Sequence, residues 1–275
     1  MPNALSRLQD ALAIGPAVLV LVAQTQGSAP REVGAWMGVM PQELIGTIGG
    51  GHLEFDAIAH ARAMLAGTAP LPDQIQRYAL GPSLGQCCGG VVFLRFELLG
   101  PQDAAGLAQR LQAPTAPVAL FGGGHVGKAI ARQLAQLPFA LHWIDSREEI
   151  FPTDTAPNIQ CEHSDPVQAA VADIAAGSAV LIMSFSHAED LEILAACLQR
   201  ARQLNDLPFI GLIGSKTKWA TFRHRLESRG YTTQDFDRVT CPIGIAGIEG
   251  KQAEVIAVSV AAQLLQHFPQ AAAAS

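Results

Sequence analysis

The 275-residue chain reads as an α/β protein, an α+β first half followed by a doubly wound parallel sheet. Three observations carry that reading. From residue 118 onward short apolar runs alternate with helical patterns, as strands buried on both faces of a parallel sheet require. The first of these runs ends in Gly122-Gly123-Gly124-His125-Val126-Gly127, a G-x-G-x-x-G string that opens a helix. Before residue 113 the order is different, with hairpin-like strands and Gly/Pro turns in place of regular alternation.

Taken in chain order, residues 3–14 place Leu5, Leu8 and Leu12 at helical spacing, and residues 17–23 form a β-branched, strand-like run. A Gly/Pro-punctuated stretch follows, with a strand pair expected at 36–39 and 44–48. Residues 53–66 lack breakers and predict a helix. Residues 80–90 form a loop rich in glycine and cysteine, and 91–99 a strand. Two prolines in residues 113–117 mark a seam, so the expected domains are residues 1–113 and 114–275. Beyond the seam the pattern predicts a strand at 118–121, a helix at 127–136 and a strand at 140–144. Further buried strands fall at 179–183 and 209–213, each followed by a helix-like segment.

Composition narrows the function. The chain is 49% apolar and only 15% charged, against a usual share of about 25% charged, which excludes disorder. The formal net charge is −6, only four residues are lysine, and no basic run occurs, so nucleic acid is not an expected partner. Five cysteines, an odd number, suit reduced thiols in the cytoplasm rather than a disulfide framework. No apolar run approaches the length of a membrane span. Residues 11–23 follow Arg7 and are mostly apolar, but Asp10 and the Gly15-Pro16 break fit a helix and strand better than a leader.

Glycine is concentrated. Eleven of the 26 glycines lie in 46–51, 85–90 and 122–127. The third cluster has the full setting of a dinucleotide fingerprint: a strand before it, a helix after it, and Asp145 ending the next strand 18 residues beyond Gly127. Its glycines let backbone approach a phosphate at a helix N-terminus, and Asp145 could accept from ribose hydroxyls. A Rossmann-like domain follows, whether its turn holds a dinucleotide, another phosphate or nothing. In the first cluster, Gly49, Gly50 and Gly51 precede His52 and Glu54 at a helix entrance. That turn either cradles an anion or is closed by Glu54 as a helix cap. In the second, Gln86, Cys87 and Cys88 stand among glycines. Adjacent cysteines chelate one zinc poorly but suit redox chemistry or a soft centre such as molybdenum; they are also compatible with simple packing.

Other candidates are His187 after the 179–183 strand, Ser215 and Lys216 after the next, and Arg31 beside Pro30. His187, Ser215 and Lys216 are each equally a solvated loop position or a helix cap; Arg31 could bind an anion but reads first as a solvated surface residue. Cys161, Cys197 and Cys241 read as core residues. H-E-x-x-H and G-x-x-x-x-G-K-[ST] are absent from the sequence, against the common metalloprotease and triphosphatase readings.

These motifs together resemble the XdhC/CoxI family of accessory proteins. Gly27-Ser28-Ala29-Pro30-Arg31 and the stretch from Gly46 to Glu54 are similar to its N-terminal signature. LGPSLGQCCGG at 80–90 is similar to the branch that serves xanthine dehydrogenase. FGGGHVGKA, IDSREEIFP, FIGLIGSKTK and the CPIG segment from Cys241 extend the match to almost the whole chain. The resemblance implies a maturation factor, not an enzyme of purine catabolism itself. Such a factor binds the molybdenum cofactor (molybdopterin) and presents it to a cysteine desulfurase, which exchanges an oxo ligand of molybdenum for sulfur. It then inserts the cofactor into the molybdenum subunit of apo xanthine dehydrogenase. By the same resemblance Cys87 or Cys88 would approach molybdenum with Gln86 as a donor. The two outer glycine turns, with His52, Glu54, His125 and Asp145 beside them, would contact phosphate or pterin. A homo-oligomer is expected, with no nucleic acid or membrane partner. Many relatives carry cysteine where this chain has His52, so a thiolate contact is not carried over there. The alternative is an NAD(P)-dependent oxidoreductase, with His187 as its proton-transferring residue.

Overall fold

The computed structural model describes residues 4–70, 75–80, 89–111 and 115–268. The chain divides into two compact units between residues 113 and 114.

The first unit is organised on β1 (Ala17–Gln26), the central strand of an antiparallel sheet ordered β3-β2-β1-β5-β4. Its partners are β2 (Trp36–Val39), β3 (Leu44–Gly46), β4 (Gln76–Ala79) and β5 (Val91–Leu99). Residues alternate in facing, and here both faces are covered. Val18, Val20 and Val22 join Leu53, Ala57 and Ala61 of α2 (Gly51–Leu65) in one core cluster. Ala17 and Leu19 point the other way, onto Leu8 and Leu12 of α1 (Ala4–Leu12) and Leu107 of α3 (Leu107–Leu111). That double burial explains why 17–23 is a continuous apolar run. β1 runs three residues further than its apolar signal. After an irregularity between Val22 and Gln24, the polar Gln24, Thr25 and Gln26 pair with Phe93, Val92 and Val91.

The second unit is an all-parallel sheet in the order β8-β7-β6-β9-β10-β11. The strands are β6 (Ala116–Phe121), β7 (Phe139–Asp145), β8 (Ile159–His163), β9 (Ala179–Ile182), β10 (Phe209–Leu212) and β11 (Val239–Thr240). The order reverses between β6 and β9, the 3-2-1-4-5-6 arrangement of a Rossmann fold, so the α/β class expected from the sequence holds. One face is packed by α4 (His125–Leu134) and α8 (Ala253–His267). Their Ile130, Leu134, Val260 and Leu264 cluster with Leu120 and Leu181. The other is packed by α5 (His187–Leu204) and α6 (Lys216–Glu227), with Leu194, Leu198, Phe222 and Leu226 against Ile182 and Ile210. A short α7 (Thr233–Phe236) leads into β11.

Pro117 lies within β6 without breaking it. Ala116 N–H donates to Pro138, towards β7, so the position of the missing Pro117 N–H faces β9, whose pairing begins only at Val118. The edge strands β4, β8 and β11 were not expected from the sequence. They are short and half-buried, and carry little apolar signal.

Candidate functional site

The carboxyl ends of β6, β7 and β9 surround the reversal point of the Rossmann sheet, where ligands bind in open α/β folds. Each glycine of the 122–127 turn has a different physical job. Gly122 has φ +127°, and a Cβ there would lie 2.0 Å from the Met183 carbonyl oxygen. A Cβ on Gly127 would sit 1.9 Å from the Gly122 carbonyl oxygen, so this glycine lets α4 close on the strand end. The Gly122 carbonyl also accepts from Trp143 Nε1 at 3.0 Å. Gly124 is different: it is exposed, and a Cβ there would meet nothing within 4 Å. It and exposed His125 open α4, and the N–H groups of Gly124, His125 and Val126 take no acceptor among the described residues. Open space in front of uncommitted backbone donors at a helix N-terminus is a fit for a phosphate.

Asp145 ends β7, as the spacing predicts, but is 2% exposed and already engaged. One oxygen accepts from the N–H and Nε of Arg147, each at 2.9 Å. The other accepts from the Gly123 N–H at 2.5 Å and from Arg147 Nη2 at 2.9 Å. A carboxylate offers about four lone-pair sites, and all four are used. Burial opposes its charge, but the bonds from Arg147 and Gly123 and the Arg147 charge outweigh that and hold the carboxyl below its ordinary range. In this structure Asp145 anchors Arg147 and the glycine turn. The Arg147 guanidinium also lies 4.6 Å from the centre of the Phe185 ring, exposed in the loop after β9.

That loop is held by a buried network absent from the sequence candidates. Asp190 accepts from the N–H and Oγ of Ser184, both at 2.7 Å, and from Lys218 Nζ at 2.6 Å. Lys218 also donates to the Ile213 carbonyl, at 2.8 Å. Lys218, not Lys216, turns inward. Ser215 and Ser186 are N-caps, accepting from Lys218 N–H and Glu189 N–H. His187 opens α5 with its ring edge on Phe222. An Asp in the first turn after one strand and a Lys in the first turn after the next were the available signals. Both read as ordinary helix-start residues.

On the far side of the reversal point a cleft of about 470 Å³ lies at the ends of β10 and β11. Ile213, Ile243, Ile245, Ile248 and Ile256 make its walls apolar, and Gly244 and Gly247 also line it.

In the first unit three motifs far apart in sequence converge. A Cβ on Gly49 would lie 2.6 Å from Pro30 Cβ and 3.3 Å from Arg31 Cγ. Gly90, whose carbonyl accepts from Leu80 N–H, packs so tightly that a Cβ would fall 2.1 Å from the Ser28 carbonyl oxygen. The Glu54 carboxylate accepts from the N–H of Ile48 and of Gly50, at 3.0 and 3.1 Å, and from Thr47 Oγ1. Of the two sequence readings of this turn, the geometry is that of the internal cap. Gly50 and Gly51 have φ +74° and +67°. His52 is half exposed, with Nε2 3.9 Å from Asp56. Gln86, Cys87 and Cys88 lie outside the described residues. Among the described residues no group of three or more metal-ligating side chains forms. No helix among them is long and apolar enough to cross a membrane. Cys161, Cys197 and Cys241 are free thiols, and burial pushes the Cys197 thiol up to about 12.

The fold and the turn define a two-unit protein with a Rossmann domain whose phosphate-type turn is intact. The sequence pattern of the XdhC Rossmann domain matches residues 118–264, more than half of the chain, and that of the XdhC and CoxI family matches residues 12–79. The chain belongs to the XdhC family. It is 27% identical over 255 residues to YqeB of Escherichia coli (strain K12), itself uncharacterized, covering 91% of this chain but 43% of that protein. It therefore spans less than half the length of this curated relative. Among solved structures it is similar to a Bacillus halodurans protein described as a xanthine dehydrogenase. The TM-score is 0.74 at 20% identity, covering 100% of this chain and 98% of that one, which is a likeness of fold.

Proposed function

We propose that this chain is a maturation factor for a molybdenum enzyme of the xanthine dehydrogenase kind. It carries the molybdenum cofactor as cargo, presents it for sulfuration by a cysteine desulfurase, and delivers it to the apoenzyme in the cytoplasm. The observation that carries this reading is the ordered match of both halves to XdhC patterns. The chemistry of the residues supports it. The cofactor bears a phosphate, which the Gly124–Val126 backbone can hold, and a soft metal, which the thiolate of Cys87 or Cys88 can approach beside Gln86. Glu54 keeps the Gly49–Gly51 turn in shape, and His52, half exposed beside Asp56, can face the cargo or a partner. A homo-oligomer belongs to the same proposal.

The test is the content of full-length protein purified from molybdate-replete cells. A pterin released by denaturation, about one molybdenum per chain or per oligomer, and loss of both in Cys88→Ala are expected. Protein without pterin or molybdenum overturns the reading. The strand order favours one competitor, an NAD(P)-dependent oxidoreductase using His187. Turnover of a small carbonyl compound with NADH would select it.

A further inference from the structure

We infer that the Rossmann unit holds a planar heterocycle phosphate monoester at one end only, and does not take a dinucleotide across the sheet. The inference rests on the reading that the 122–127 turn meets the cargo's phosphate, and it assigns the rest of the cargo a place.

Two independent features point the same way. On the β7 side, a dinucleotide would seat its second nucleoside against Asp145. There every lone-pair site of the carboxylate is filled by Arg147 and Gly123, and Arg147 is further held on Phe185. A ribose diol finds no acceptor unless Arg147 leaves, and its departure uncovers a buried carboxylate. On the β10 side there is room. The cleft of about 470 Å³ falls within the ~300–1,000 Å³ range of small-molecule sites. Its rim lies two strands from β6, about 10 Å at ordinary strand spacing. Val126, in the first turn of α4, and Ile213, Ile243 and Ile256 of the cleft wall pack against the same apolar core cluster. Its isoleucine-rich lining suits a flat ring. The N–H groups of Gly244, Ile245 and Ile248 are taken by Gln263, Ser259 and the Ile245 carbonyl, whereas those of Ala246 and Gly247 donate to no acceptor among the described residues and can pair with ring nitrogens and carbonyls. The shared chemistry is therefore a phosphate monoester joined to a flat nitrogen heterocycle, whether pterin or nicotinamide.

The probes are nicotinamide mononucleotide, NADH and NADPH, titrated into the full-length chain. Wild-type protein is expected to bind the mononucleotide at least about tenfold more tightly than either dinucleotide. Ala246→Phe, an exposed substitution at the cleft, is expected to weaken the mononucleotide about tenfold while inorganic phosphate competes as before. Arg147→Ala should free Asp145 and strengthen NADH without changing the mononucleotide. Tighter binding of a dinucleotide by the wild type, no binding of the mononucleotide, or indifference to Ala246→Phe overturns the inference. The maturation reading is scored separately, by pterin and molybdenum in the purified protein. Protein that retains pterin while Ala246→Phe changes neither its content nor mononucleotide binding sinks the inference and leaves that reading standing. Mononucleotide binding with the expected pattern in protein that never carries pterin does the reverse.

Discussion

At the scale of single residues, the 122–127 string separates glycines that serve the fold from one that faces the open site. Gly127 is needed because a methyl group would overlap the Gly122 carbonyl, and Gly122 because its φ is positive and Met183 lies behind it. Gly124 has φ −68° and open space, so a side chain fits the fold but obstructs whatever approaches the turn. Gly127→Ala is therefore expected to cost about 1–3 kcal/mol or more in denaturant unfolding, the range for overpacking. Gly124→Val, a change at the N-cap of α4, should cost no more than about 1 kcal/mol, yet lose phosphate-ligand binding. A Gly124→Val protein that binds as wild type does would remove Gly124 from the site.

At the scale of elements, two ties hold helices to the Rossmann sheet. Lys218 of α6 reaches back to Asp190 of α5 and to the end of β10, with side chains 10% and 3% exposed. Lys218→Met leaves Asp190 buried without its cation, so a loss of about 3–5 kcal/mol is expected in urea unfolding. The Asp190→Asn, Lys218→Met double variant should recover part of it, and strict additivity would show that the pair is not coupled. The second tie joins Arg202 of α5 to Asp235 of α7, at 2.8 and 2.6 Å. The hydrogen bonds from Arg202 lead, with further bonds from Thr232, and together they hold the Asp235 carboxyl far below its ordinary range despite burial. A depressed carboxylate lends stability that is complete above its unfolded value, about pH 4, and is lost as pH falls towards the folded value. The stability gap between wild type and Asp235→Asn should thus be constant from pH 6 to 8, as both lie above about pH 4, and narrow below it. A gap unchanged at pH 3 would contradict the assignment.

At the scale of the whole molecule, each unit has its own clusters on both faces of its own sheet. Two units with a core each can melt separately, so the calorimetric unfolding enthalpy is expected to exceed the van't Hoff value. Equality of the two would show a single cooperative unit.

Much was legible in sequence because it depends on local rules. Buried parallel strands announce themselves as apolar runs, and β6, β7, β9 and β10 were found near their observed limits. A strand, a glycine string and an acid at the next strand's end specify a Rossmann crossover, and Asp145 does end β7. Converging contacts were not legible. Nothing in the chain near Asp145 states that its four acceptor sites are spent on Arg147 and Gly123, or that Lys218 rather than Lys216 turns inward. Nor does the first-unit sequence say that Pro30, Gly49 and Gly90 meet. By itself the sequence determined the α/β class, the Rossmann turn and the family resemblance, because periodicity and glycine spacing act over neighbouring residues. Only the tertiary structure decided which acceptors are free, which glycines are pressed against backbone and where an apolar cleft opens. Those depend on distances between residues that the chain order does not contain.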